Sequence, residues 1–189
     1  MSTVARNEGW NALLRSWQEA DIPEGWHAEV CEGGITMVPP PGVDHNLIAG
    51  VVHRALLGAV PREWGVYQTL GISVVGLRRL YVPDLVVMPV EALTRADLDP
   101  VPASSAKLVV EIVSPSNARV DRVEKLRAYA EASIPVYLMI DRFDEHGPLV
   151  TVFSDPADGH YREIMAALFG SRIELPEPIN LKLDTNDFR

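Results

Sequence analysis

Two carboxylates stand inside apolar runs: Asp84 within residues 81–88 and Glu111 within residues 108–113. Each run is rich in β-branched residues and apolar at both phases of a period-2 alternation, the pattern of a strand buried on both faces of a sheet. Val82, Val86 and Met88 share a face with Asp84, and Val109 and Val113 share one with Glu111. An ionised carboxylate among such neighbours loses its hydration, so it needs a cation, hydrogen-bond donors or a raised pKa. A shared divalent ion is one economical partner. Two acids at neighbouring strand ends suit Mg2+, which keeps several of its waters. Such an ion lowers the pKa of bound water and offsets charge on a phosphoryl oxygen. The structural alternative is that both acids are solvated, or bonded to backbone amides, at strand ends.

No other chemical engine is visible. The chain has no glycine-rich loop ending in Gly-Lys-Ser/Thr, no His-Glu-x-x-His helix and no Gly-x-Ser-x-Gly elbow. Lys125 follows Glu111 closely enough to fold back over the strand's end. Asp121 and Glu124 have capping-box spacing, which predicts Lys125 in a first helical turn, where the helix dipole disfavours a cation. The plainer expectation is an Asp121–Lys125 i,i+4 pair on a solvated helix face.

The elements that must position these residues follow from periodicity. Trp10, Leu13, Leu14 and Trp17 mark an amphipathic helix that lies on the core as a lid. Residues 27–38 read as a hairpin turning at Glu32-Gly33-Gly34. Asp44 is placed to cap a helix with the apolar stripe Ile48, Val52, Ala55, Leu56 and Ala59, ended by Pro61. His45 sits in its first turn. Strands are expected between Trp64 and Met88, with turns at Gly71 and at residues 76–79. A turn at Ser114-Pro115-Ser116-Asn117 leads into a helix with Val120, Val123, Leu126 and Ala130, and residues 135–140 form another buried strand closed by Asp141. Four short strands parted by Gly, Pro and Asp turns make up a tail over residues 148–185. This order predicts an α/β (α+β) protein with a mixed sheet and helices on its faces.

Composition sets outer limits. With 189 residues, 47% of them hydrophobic, the chain is long enough for one well-cored domain, taken as residues 1–189 with a core at about 27–141. The one cysteine, Cys31, excludes an intrachain disulfide and a thiolate zinc site. No apolar stretch approaches the roughly 20 residues that span a bilayer, and no signal peptide is evident, so a cytoplasmic location is expected. A formal charge of −9 opposes long-range attraction to nucleic acid. Arg78, Arg79, Arg119, Arg122, Lys125 and Arg127 nevertheless flank the two acids as a possible phosphate-binding rim, diluted by Asp97, Asp121, Glu124 and Glu131.

Four motifs in order carry a family resemblance: Pro83-Asp84; Glu111-Ile112-Val113-Ser114-Pro115-Ser116; Asp121, Lys125 and Tyr129 at intervals of four; and residues 134–141 ending in Asp141. Together with Glu29, Gly33-Gly34, residues 37–41 and His45, they resemble the bacterial Uma-type family of proposed restriction endonucleases in the PD-(D/E)XK nuclease superfamily. The resemblance implies a restriction-endonuclease-like core with a central four-stranded mixed sheet flanked by helices. It also implies that Asp84 and Glu111 bind metal, Mg2+ with Mn2+ as substitute, and that Lys125 activates water for hydrolysis of DNA phosphodiester bonds by a homodimer. One departure stands out: the superfamily's usual lysine lies two residues after the acid, where Val113 stands, so Lys125 would act from the following helix.

The remaining residues carry paired readings. Glu29 is either a third acid or a cross-strand surface charge. His45 orients a phosphate or water, or bonds a backbone carbonyl. Asp141 binds backbone amides or contacts the metal shell. Ser114, Ser116 and Asn117 cap the turn and secondarily contact phosphate, and Tyr129 packs on Lys125. The tail is a dimer surface or a packed extension. The rival to a nuclease is a non-catalytic module of the same fold that binds nucleic acid or a protein partner.

Overall fold

The computed structural model describes residues 3–94, 100–115 and 117–189, so Asp97 and Ser116 lie outside the described residues. In chain order the elements are α1 (Thr3–Gln18), β1 (His27–Cys31), β2 (Gly34–Val38), α2 (Val43–Ala59), β3 (Trp64–Tyr67), β4 (Ile72–Val74), β5 (Arg79–Tyr81), β6 (Leu85–Pro89), β7 (Val101–Pro102), β8 (Leu108–Ile112), α3 (Leu126–Glu131), β9 (Val136–Asp141), β10 (Leu149–Ala157), β11 (His160–Leu168), β12 (Arg172–Leu175) and β13 (Leu181–Asp184). A π-helical turn, Val120–Lys125, leads directly into α3.

The central sheet is mixed and runs β11-β10-β9-β8-β6-β3. Its β3, β6, β8 and β9 form a four-stranded core, and the tail hairpin β10–β11 adds two strands at one side. All neighbours are antiparallel except β8 and β9. Parallel neighbours need a crossover, and the helical segment ending in α3 supplies it. A second sheet, β2-β1-β5-β4-β7, takes up the early hairpin and the strands around Gly71. The strands of the tail pair with and pack on this core. Val150 and Val152 are buried in the sheet, while Ile173, Leu175, Leu183 and Phe188 cover the sheet face that α2 also covers.

Period-2 alternation sorts the two faces as the apolar runs predict. Leu85, Val87, Leu108, Val110 and Ile112 pack towards Ile48, Val52 and Leu56 of α2. Val86, Met88, Val109 and Val113 pack on the other side with Tyr81, Tyr129, Tyr137 and Ile72. Trp10 of α1 closes a smaller cluster on the second sheet with Val30, Leu80 and Val82, and the Trp17 indole nitrogen donates to the Ala28 carbonyl at 2.7 Å. Among the described residues, no helix is long and apolar enough to cross a membrane.

Two local expectations are corrected. Asp84 is not inside a strand: Pro83 has no N–H for a ladder, so pairing stops after Tyr81 and resumes at Leu85. Asp84 therefore sits at the bend where β6 begins. Asp44 does not cap α2. Gly42 holds the cap position in extended backbone, with no side-chain cap bond, and Asp44 lies in the first turn.

Candidate active site

Sheet register brings the two acids together. The pairing of Leu85 with Val110 places Asp84, one residue earlier, across from Glu111, one residue later. Asp84 Oδ2 accepts the Ile112 backbone N–H at 2.7 Å, and Oδ1 faces His45 Nε2 at 3.1 Å. The α2 helix thus aims its first-turn histidine at a carboxylate, not at the backbone carbonyl considered from sequence. Among the described residues, His45 Nδ1 is buried without a hydrogen-bond partner.

Glu111 is buried on β8, and its Oε1 accepts from the Tyr129 hydroxyl and from Lys125 Nζ, the latter at 3.0 Å. Tyr129 therefore fastens Glu111 at the same oxygen that Lys125 meets. Lys125 Nζ also lies 3.1 Å from Glu29 Oε1 and 3.3 Å from Asp121 Oδ1, and 5.5 Å from the centroid of the Tyr81 ring. The side chains of Lys125, Glu29, Glu111 and Asp121 are 3%, 1%, 4% and 5% exposed, so this is an interior ion cluster. Glu29 is accordingly no surface charge. Its Oε1 also accepts from Val82 N at 2.9 Å, and its buried Oε2 meets no donor among the described residues.

The Asp121–Lys125 pair exists, but on the buried face of its helix, not the solvated one. The capping box does not form: no side-chain cap bond is made there, and Glu124 pairs with Arg119. The π turn is tied down where the Tyr137 hydroxyl donates to the Asp121 carbonyl at 3.1 Å. Single π turns are frequent at functional sites, and this one sends Asp121 and Lys125 inward while Val123 faces solvent.

Burial pushes the Glu111 carboxyl well above the usual carboxylate range, with Lys125 opposing the shift. Asp121 is pushed up to about 6, again chiefly by burial. Burial alone would lower the Lys125 ammonium, but Glu111, Glu29, Asp121 and Asp84 together raise it well above its ordinary value. Lys125 is held as a cation. His27, also beside the site, is lowered by burial.

These groups line a cleft of about 340 Å³ reaching Asp84, Glu111, Asp121, Lys125, Ser114 and Asn117. Asn117 makes the predicted turn, its N–H donating to the Ser114 carbonyl at 3.1 Å. Asp141 closes β9 by accepting from Phe143 N at 2.9 Å and from Arg122 Nε at 2.7 Å. The basic rim is largely committed elsewhere: Lys125 is interior, Arg122 and Arg119 are ion-paired, and Arg79 donates to the Leu77 carbonyl. Sequence reasoning passed over Arg142, which lines the cleft at the end of β9; the signal was its place directly after Asp141.

Residues 10–186 match the Uma2 family, described as "Putative restriction endonuclease". The chain belongs to the Uma2 family. A solved structure described as a putative nuclease belonging to DUF820, from Anabaena variabilis ATCC 29413, superposes with a TM-score of 0.70 at 18% identity. The match covers 93% of this chain and 96% of that one, and establishes the shared fold. No curated protein matches the chain. Among the described residues of this Uma2 protein, no three His, Cys, Asp or Glu side chains form a ready metal cage. The donors that do converge are hard carboxylate oxygens, Asp84 across from Glu111, with the buried Glu29 Oε2 nearby. Two acids from neighbouring strands, facing a cleft with room for water, match what Mg2+ accepts.

Proposed function

We propose that this Uma2 protein hydrolyses phosphodiester bonds in DNA with a divalent ion, Mg2+ or Mn2+, held by Asp84 and Glu111. The observation that carries the reading is Lys125 Nζ, 3.0 Å from Glu111 and buried at the same cleft. It supplies from the helix the cation that is absent at Val113. A bound ion would activate water and offset charge on the phosphoryl oxygens.

The chain's own residues divide the remaining work. Lys125, kept protonated by its carboxylates, holds Glu111 in place and orients the attacking water; it does not act as the base. Tyr129 and Lys125 fix the Glu111 carboxylate, and Ile112 N–H with His45 fixes Asp84. Hydrolysis forms one P–O bond and breaks another, so the water loses a proton and the leaving oxygen gains one. Asp121, with its carboxyl near 6, is the group here suited to accept a proton close to neutral pH. A homodimer would set two such sites against the two strands of a duplex.

A non-catalytic module is the second reading, favoured by the engagement of Lys125 with three carboxylates. Calorimetric titration with Mn2+ separates the two. Saturable binding in the parent protein that disappears in Asp84→Ala and in Glu111→Ala is expected. Absent binding, or binding unchanged in both variants, sinks the two-acid metal site and leaves the module.

A further inference from the structure

Among the described residues, five carboxylates line the cleft, Glu29, Asp44, Asp84, Glu111 and Asp121, against two formal cations, Lys125 and Arg142. A phosphodiester carries negative charge, so this lining repels it unless a cation is free to meet it. Lys125 is 3% exposed and surrounded by acids, so it is not that cation. Arg142 is different. It follows Asp141 at the end of β9, its side chain is 25% exposed, and its guanidinium lies 5.6 Å from the centroid of the Phe143 ring. Nη2 reaches Asp44 Oδ2 at 2.7 Å, joining the end of β9 to the first turn of α2 across the cleft.

Resting on the DNA reading above, we propose that Arg142 is the phosphate-binding residue of this cleft, held by Asp44 until a DNA phosphodiester displaces that carboxylate. The exchange is chemically matched. Guanidinium binds carboxylate and phosphate oxygens with the same forked donors. Asp44 is 48% exposed and can return to water when Arg142 leaves. It also keeps a favourable place near the positive end of α2. In the free protein the same pair tempers the negative lining of the cleft.

The test is binding of fluorescently labelled duplex and single-stranded DNA, read by anisotropy in Ca2+ over a range of salt. Arg142→Ala is expected to weaken binding by roughly three- to tenfold and to reduce the slope of log affinity against log salt by about one unit. Asp44→Asn breaks the same ion pair, so a purely structural role predicts weakening in both variants. Tighter binding by Asp44→Asn is expected instead, and the gain should vanish when Arg142→Ala is also present. A gain that persists in the double variant would show a general charge effect and overturn the latch. Unchanged affinity and salt slope in Arg142→Ala would overturn the phosphate contact. If the parent protein binds neither DNA form, the DNA reading falls and the clamp with it. Binding by the parent with no effect of Arg142→Ala overturns the clamp alone.

Discussion

At the residue scale the site is a problem in shared protons. One ammonium faces three buried carboxylates, so the cluster of Lys125, Glu29, Glu111 and Asp121 carries excess negative charge when all are ionised. The raised Asp121 pKa has a consequence for stability. A carboxyl raised from 3.8 to about 6 in the folded chain contributes stability that is present below its unfolded pKa and lost as pH rises through 6. That loss is on the order of 3 kcal/mol. Asp121→Asn, which resembles the protonated acid, removes the dependence. The stability advantage of the parent over Asp121→Asn should therefore shrink between pH 4 and 7, measured by urea unfolding at several pH values. A constant difference would show that Asp121 keeps an ordinary pKa. Asp84 and Glu111 were legible in the sequence because a carboxylate inside β-branched runs contradicts its surroundings. Glu29 and Asp121 were less so, because their burial depends on contacts far along the chain: Glu29 meets Val82 N and Lys125 Nζ. Local spacing described Asp121 as a cap and a surface partner, which its tertiary setting overrides.

At the element scale, the hairpin that carries Glu29 depends on its turn. Cys31 pairs with Gly34, and Gly34 has φ +120°, a conformation that side chains rarely adopt, whereas Gly33 lies outside the positive-φ set. Nothing lies within 4 Å of a Cβ added at either glycine, so sterics do not separate them and backbone strain does. Gly34→Ala should cost about 1–3 kcal/mol, and Gly33→Ala should stay within about 0.5 kcal/mol of the parent. Chemical denaturation checks both; equal midpoints would place the strain elsewhere. The hairpin, α2 and the buried strands were legible from glycine placement and apolar period. The π turn was not. It is held by the Tyr137 hydroxyl on the Asp121 carbonyl, a bond from another element that no helical period records. The break at Pro83 was legible in principle, since proline cannot donate within a ladder.

At the scale of the whole molecule, the tail decides how much chain the site needs. Residues 148–185 pack on the core through β10 and through the segments beyond β11. Here β10 pairs with β9 through six residue pairs from Leu149↔Asp141 to Ser154↔Val136. The strand that ends in Asp141, just before Arg142, is therefore interior only because the tail is present. Beyond β11, Ile173, Leu175, Ile179, Leu183 and Phe188 are each at most 7% exposed and share a cluster with Val110, Leu138 and Ile140. Burying five such side chains contributes about 7–15 kcal/mol at 1.5–3 kcal/mol each, comparable to the 5–15 kcal/mol net stability of a typical domain. A chain ending at Leu168 should therefore fail to fold cooperatively, although it keeps Asp84, Glu111 and Lys125. Phe188→Ala tests the same claim gently. Phe188 meets Phe169 edge-on at 5.2 Å, and its truncation should cost about 3 kcal/mol with an unchanged denaturant slope. Circular dichroism through a urea titration reads both variants. A shortened chain with a sharp transition near the parent's midpoint would make β12, β13 and Phe188 an appendage, and the site would then stand on the sheet and α2 alone.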